Sequence, residues 1–302
     1  MRLFLKVDFD AVISAMLLKK VLPITEIHFI APLDIIEGKI KLQKGDVVAN
    51  LPYLEGCEYW FDHHPTNTLE EPKDYKGLFR VAPSAAGLIY EYFGGEKTFP
   101  GMKDLIVMTD RIDAAELTIE EVREPKEHLL IANTIDSKTF VPAAKAYDLR
   151  LIEIYGQTQD PERILQFPEV KVRAEKFQNR QDYFRTMLKR YTRLEGNIIV
   201  TDIRFCRNFP RGDRFFVYTM FPEATLAVKS FHTKQEPTKA IVSVTQNIFN
   251  RSKVHVGNFC KNYDGGGHEG AAICRFPRED ADRMLKQIFA ELNDLDKESS
   301  NS

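Results

Sequence analysis

The sequence predicts an α/β protein: a mostly parallel, doubly wound sheet in the N-terminal domain, a helical linker, and a smaller α/β C-terminal domain. Three observations predict it. Short apolar runs alternate with helical patterns through the first half of the chain, and that alternation builds a parallel sheet with helices on both faces. The stretch from Pro161 to Leu194 is charged, amphipathic and free of glycine. From Ile198 onward the pattern turns back to strands. These changes divide the chain into residues 1–158, a linker at 159–196, a second domain at 197–295 and a tail at 296–302.

Taken in order, Leu3 to Val7 is an apolar run of buried-strand type, and Ala11 to Val21 follows with helical periodicity. Glu26 to Ala31, Asp46 to Leu51 and Glu58 to Phe61 read as three further strands. Pro83-Ser84 opens a helix to Phe93, which Gly94-Gly95 stops, and Pro100 to Ile112 reads as another helix. Ile119 to Gly196 reads as helical, with a long connecting helix over Pro161 to Leu194 broken near Pro168. Gly196-Asn197 ends it. Strands are then expected at Ile198 to Phe205, Arg214 to Met220, Thr225 to Phe231, Lys239 to Thr245 and Ala271 to Phe276. Helices are expected near Val256 to Lys261 and at Glu279 to Leu292, before a polar tail.

Composition narrows the function. The chain has 302 residues and a formal net charge of -2. That balance gives no field for holding long duplex nucleic acid, though one local basic pocket suffices for a short anionic substrate. The four cysteines, Cys57, Cys206, Cys260 and Cys274, form no C-x-x-C pair, which argues against a zinc knuckle and fits a reducing compartment. Acidic residues from position 8 interrupt any signal-peptide apolar region, and no run approaches a membrane span. The expected location is the cytoplasm, with no membrane partner.

Four polar clusters carry the chemistry. Asp8-Phe9-Asp10 follows the first strand. Two carboxylates leaving a buried strand call for a positive partner such as Mn or Mg, although Asp10 also suits a cap for a helix starting at Ala11. Asp62-His63-His64 follows the fourth strand, where alternating side chains let one histidine bind metal while the other faces substrate. The competing reading is a polar turn. Asp110, with Arg111 and Asp113, ends the run LIVMTDRIDAA and either completes a metal site or is an exposed helix end. Asp264-Gly265-Gly266-Gly267-His268 is a glycine-rich loop able to form an anion-binding nest, with His268 as a further donor and Arg251 upstream for bidentate phosphate contact. Its alternative is a tight connection between helix and strand.

Together these motifs resemble the DHH phosphoesterase superfamily, which includes RecJ-type exonucleases, oligoribonucleases and exopolyphosphatase-related proteins. VAPSAAGLIYEYF is similar to the helix after the DHH motif, and SVTQNIFNRSKVHVGNFCKNYDGGGHEGAA to the DHH-associated C-terminal domain. The resemblance implies a metal-dependent phosphoesterase with its site in the cleft between domains. Asp10, His63 and Asp110 match the ligands of one metal, Asp8 a ligand of another, and His64 a substrate-facing residue. Arg251, the glycine loop and His268 match phosphate-binding groups. The chain departs from the family pattern twice, with Lys6 in place of a histidine and Asn50 in place of a metal-bridging aspartate. An ammonium does not ligate as imidazole does, and a carboxamide carries no charge to balance between two metals. The expectation is therefore one Mn or Mg ion, held by Asp10, His63 and Asp110 with help from Asn50, while Lys6 neutralises Asp8. Lys6, Asp8 and His64 are the catalytic candidates. The substrate expected is a small nucleotide, a short single-stranded oligonucleotide or polyphosphate. The alternative is an inactive member that still binds nucleotide or phosphate. Pairing into a homodimer stays open.

Overall fold

The computed structural model describes residues 1–30, 34–35, 38–136, 141–233 and 236–300. They form two compact units, Met1–Leu117 with Pro125–Lys176, and Thr118–Glu124 with Phe177–Ser302.

The sequence predicts a mostly parallel sheet, and in the first unit every strand pair is parallel. Its strands are β1 (Arg2–Leu5), β2 (Glu26–Phe29), β3 (Val47–Ala49), β4 (Tyr59–Asp62) and β5 (Lys76–Phe79), in the order β2-β1-β3-β4-β5. The expected end of the second strand, Ala31, lies outside the described residues. Leu3 pairs with Ile27 on one side and Val47 on the other, and Val48 pairs with Trp60. The helices are α1 (Phe9–Val21), α2 (Ala85–Tyr92), α3 (Lys103–Asp113), α4 (Ile119–Arg123), α5 (Glu127–Ala132), α6 (Pro142–Gln157) and α7 (Pro161–Ile164). One of these, α4, belongs to the second unit. Leu3, Leu5, Val12, Ile13, Leu17, Val47, Phe61 and Ile89 are buried in one core between sheet and helices. Such side chains each contribute about 1.5–3 kcal/mol on burial. The strand order reverses between β1 and β3, and open α/β sheets bind ligands in the crevice at that point, beyond the strands' carboxyl ends. The polar residues after β1, β3 and β4 are brought to that edge together.

The short edge strand β5 was not expected. Its sequence, KGLF, has no alternating pattern. Gly77 lets it lie there: with φ at +122°, a β-carbon at this position would sit 2.1 Å from the Trp60 carbonyl oxygen.

The long charged stretch is α8 (Pro168–Tyr191), which passes from the first unit into the second. It ends earlier than expected, because Thr192–Glu195 is a strand, β6. The second unit's sheet continues with β7 (Ile198–Asp202), β8 (Leu226–Phe231), β9 (Lys239–Gln246), β10 (Gly266–Gly267) and β11 (Ala271–Pro277), in the order β10-β11-β9-β8-β7-β6. Only the β7–β8 pair is parallel. The helices α9 (Val256–Lys261) and α10 (Ala281–Ser300) cover the sheet, and Val200, Val228, Val244, Phe259, Ile288 and Leu292 are buried together.

Two expectations are corrected here. Arg214 to Met220 is not a strand. Asp213 accepts hydrogen bonds from Phe215 N at its side chain (2.7 Å) and from Phe216 N at its carbonyl, and a 3-10 turn follows at Phe216–Thr219. The tail is not frayed from residue 296, since α10 runs on to Ser300, with Asp296 buried and accepting from Ser252 Oγ at 2.6 Å. Asn301 and Ser302 lie outside the described residues, as do 137–140 of the helical stretch. No helix among the described residues is long and apolar enough to cross a membrane.

Candidate metal centre

Asp8, and not Asp10, caps α1: its side chain accepts from Ala11 N at 2.8 Å. Asp10 lies in the first turn and is fully buried. Its oxygens accept from Ala85 N (3.0 Å), Ala86 N (2.8 Å) and Ser14 Oγ (3.3 Å). The N-terminus of α2 therefore aims its free N–H groups at this carboxylate, which favours the charged form. Burial opposes that and, with the neighbouring Asp8, pushes the Asp10 pKa up to about 7.

Across from Asp10, the His63 ring is held by a hydrogen bond between Nδ1 and the Ala82 carbonyl oxygen, 3.0 Å apart. A carbonyl only accepts, so Nδ1 carries the proton and Nε2 keeps its lone pair. Burial, and then the neighbouring His64, lower the His63 pKa to about 4, so the ring is neutral at physiological pH. Its Nε2 is buried with no hydrogen-bond partner among the described residues. It faces Asp113 Oδ2 at 3.3 Å and Asp10 Oδ2 at 3.8 Å. A lone pair pressed between two carboxylates is repelled by both unless a cation sits among them. The donor set suits Mn or Mg, with imidazole widening the choice toward other divalent metals. Asp10, His63 and Asp113 form one of two groups among the described residues able to hold a metal ion.

Asp110 is not in that group. It accepts from Ser84 Oγ at 2.5 Å, and Gly87 makes room for it, since a β-carbon there would meet Asp110 Oδ1 at 2.8 Å. Ser84 in turn caps α2 by accepting from Gly87 N at 2.9 Å. Asp110 thus steadies the helix whose N-terminus holds Asp10. The third position beside His63 goes to Asp113, one turn further along α3, at the helix end.

The other group is Asp62, His63 and His64. Asp62 is fully buried, accepting from Asn67 Nδ2 at 2.6 Å and lying 2.7 Å from His64 Nδ1. It fixes the His64 ring with Nε2 turned toward Lys6 Nζ, 3.2 Å away. Lys6 Nζ also pairs with Asp8 Oδ2 at 3.2 Å. Asn50 stands at the end of β3 with φ at +55°, a left-handed conformation that asparagine tolerates better than most residues. Its Nδ2 donates to both Asp8 oxygens, at 3.0 and 3.2 Å. Asn50 is thus tied to Asp8 through its amide nitrogen, and its Oδ1 is buried with no hydrogen-bond partner among the described residues. Burial works against the Lys6 ammonium, but the charges of Asp8, Asp113 and Asp10 outweigh it and raise its pKa.

In the second unit, Arg251 is exposed on the loop after β9, and Gly266, Gly267 and His268 are exposed at the sheet edge. The two loops adjoin, tied by Gln246 N to Gly270 O and Val256 N to Glu269 O, both 2.9 Å. The glycines do not form an open nest. Gly265 N is spent on Cys260 O and His268 N on Ala271 O, while Gly266 and Gly267 pair along β11. Close backbone approach explains two of the three. A β-carbon on Gly265 would lie 2.3 Å from Ile273 O, and one on Gly267, with φ at +155°, would lie 2.4 Å from Ala271 O.

The chain is similar over 97% of its length to the pGpG-specific phosphodiesterase PggH of Vibrio cholerae, at 28% identity with a TM-score of 0.81, covering 98% of that protein. The DHH triplet and the GGGH run stand in the fold that this likeness shares. The chain is thus similar in fold to DHH-family proteins. More remote structures share the fold alone. An exopolyphosphatase-related protein from Bacteroides fragilis is 12% identical with a TM-score of 0.54, covering 98% of this chain and 93% of that one. RecJ of Thermus thermophilus in complex with Mn2+ is 15% identical with a TM-score of 0.54, and the alignment covers 96% of this chain and 52% of RecJ. No protein-family model and no curated protein sequence matches the chain.

Proposed function

We propose that this chain is a metal-dependent phosphodiesterase of the DHH superfamily that hydrolyses a short, single-stranded oligonucleotide, with a linear dinucleotide such as pGpG as its first candidate substrate. The observation that carries the metal dependence is the buried, unpartnered Nε2 of His63 set against Asp10 and Asp113. The substrate class follows from the likeness to a pGpG-specific enzyme. A formal net charge of -2 supports a short ligand over a long duplex.

Asp10, His63 and Asp113 would hold one Mn or Mg ion. An ion held there would supply polarisation of a phosphoryl oxygen and a more acidic neighbouring water. The chain's own groups do the rest. Asp10 and Asp113 bring the negative charge the ion needs, and the α2 N-terminus keeps Asp10 in place. Asp62 orients His64 beside Lys6. Arg251 and His268 serve the terminal phosphate, a role taken from the family resemblance, and their adjoining exposed loops leave them accessible to it.

The test is hydrolysis of pGpG, and of two- to five-residue oligoribonucleotides, with added Mn. Turnover by the wild type, lost in His63→Ala, is the expected result. Absence of turnover on every substrate would contradict the proposal. The closed set of Lys6, Asp8 and Asn50 favours one other reading, a chain that binds the nucleotide without cleaving it. Tight pGpG binding with no product at any Mn concentration would select that reading.

A further inference from the structure

Lys6, Asp8, Asn50 and His64 form a second cluster that the three proposed ligands do not use. Asp8 is met by an ammonium at 3.2 Å and by a carboxamide whose Nδ2 lies 3.0 and 3.2 Å from its two oxygens. His64 is committed to Asp62 at Nδ1, and its Nε2 lies against the same ammonium. The cluster is thus balanced by a charge that belongs to the chain. A divalent ion placed between Asp8 and His64 would meet the Lys6 ammonium, and like charges at a few ångströms repel strongly in a partly buried site. Of the carboxylates beside it, Asp8 is already met by that ammonium, and Asp62 is committed to His64 Nδ1 and Asn67 Nδ2. Asn50 Oδ1, buried without a hydrogen-bond partner among the described residues, is a neutral acceptor and adds no charge to attract a metal.

The ammonium also has capacity left. It carries three N–H donors. Asp8 and His64 account for two of them among the described residues, and the Lys6 side chain is 31% exposed. The remaining donor is available to an incoming anion. The His63 and His64 rings lie 4.1 Å apart, centroid to centroid, so that anion would lie next to the proposed ion.

We propose that Lys6 is a tethered cation that stands in for a second metal ion between Asp8 and His64 and contacts a non-bridging oxygen of the substrate phosphate. The assignment rests on the reading of Asp10, His63 and Asp113 as the holders of one ion. It predicts a phosphodiesterase that works with a single divalent ion, because half of its charge stabilisation is covalently attached. Asn50 is the positioning residue. It fixes Asp8 without adding a charge, and so leaves the ammonium as that carboxylate's only cation.

The experiment counts ions and tests the lysine separately. Mn binding to the full chain is measured by calorimetry and elemental analysis, and the EPR spectrum distinguishes an isolated Mn from a spin-coupled pair. One Mn per wild-type chain, with the spectrum of an isolated ion, is expected. Lys6→Gln, with folding checked by thermal melting, keeps one Mn but loses about 100-fold in kcat/KM on pGpG, the scale of a lost charge donor to a transition state. Lys6→Arg keeps the charge and recovers part of that loss. The double variant Lys6→His with Asn50→Asp supplies two donors beside Asp8 and gains a second, coupled Mn. Two ions in an active wild type overturn this assignment alone, as does unchanged turnover in Lys6→Gln. A wild type that binds no Mn overturns both this assignment and the one beneath it.

Discussion

His63 Nδ1 lies 3.0 Å from the carbonyl oxygen of Ala82, and that contact decides which ring nitrogen keeps a lone pair. With Nδ1 spent on the backbone, Nε2 turns to Asp113 and Asp10. The loop after β5 thus sets the tautomer of a proposed ligand that follows β4. A carbonyl behind a metal-binding imidazole sets its tautomer and its orientation together.

Two aspartates one helical turn apart are expected to behave differently. Asp113→Asn removes a carboxylate from beside His63 Nε2 and should weaken Mn binding by about 100-fold or more. Asp110→Asn leaves that group intact and loosens Ser84 at the α2 cap, which should cost about 1 kcal/mol of stability. Mn calorimetry paired with denaturant unfolding of both variants checks this. A larger Mn effect in the Asp110 variant would mean that the wrong aspartate has been assigned.

The contribution of Asp148 to the first unit's stability should fall as pH rises from about 4 to about 7. Asp148 in α6 is 1% exposed, and neither of its oxygens has a hydrogen-bond partner among the described residues. Burial, only partly offset by Arg173, raises its pKa to about 7 from an ordinary 3.8. The fold therefore binds a proton that the unfolded chain has already released in that window, so this group's contribution falls with rising pH and levels off above 7. Asp148→Asn should raise stability by about 1–3 kcal/mol at pH 8 and by little at pH 4. Urea unfolding at both pH values decides it, and an equal effect at the two would contradict it.

The glycine run separates folding from binding. Gly265→Ala would drive a β-carbon to 2.3 Å from Ile273 O and 2.9 Å from Cys260 O. Because both obstacles are backbone, the cost should exceed about 2 kcal/mol. Gly266 has nothing within 4 Å of such a carbon, so Gly266→Ala should melt like the wild type. If the exposed edge beside His268 takes the terminal phosphate, that variant should still raise KM for pGpG without changing Mn affinity. Melting curves and steady-state kinetics on the two variants test both halves.

Much of the parallel sheet was legible because β1, β3 and β4 are buried on both faces and read as unbroken apolar runs. Edge elements were not. KGLF has no pattern, and RFFVYTM is rich in aromatic and β-branched residues like a strand yet turns, because the preceding Asp213 captures two backbone N–H groups. At the candidate site, His63 stood out in the DHH triplet, while the nearness of Asp113 rather than Asp110 to its Nε2 depended on packing at the end of α3. Lys6 and Asn50 were visible as departures from a pattern. Their meeting at Asp8 depended on β1 and β3 being neighbours, a matter of topology that spacing along the chain does not encode.

The most direct measurement is an anomalous difference map from crystals grown with MnCl2. One strong peak in contact with Nε2 of His63 and with the carboxylates of Asp10 and Asp113 is the predicted result, and His63→Ala should erase it. A map with no peak there, while Mn-dependent cleavage of pGpG persists in solution, would contradict the account.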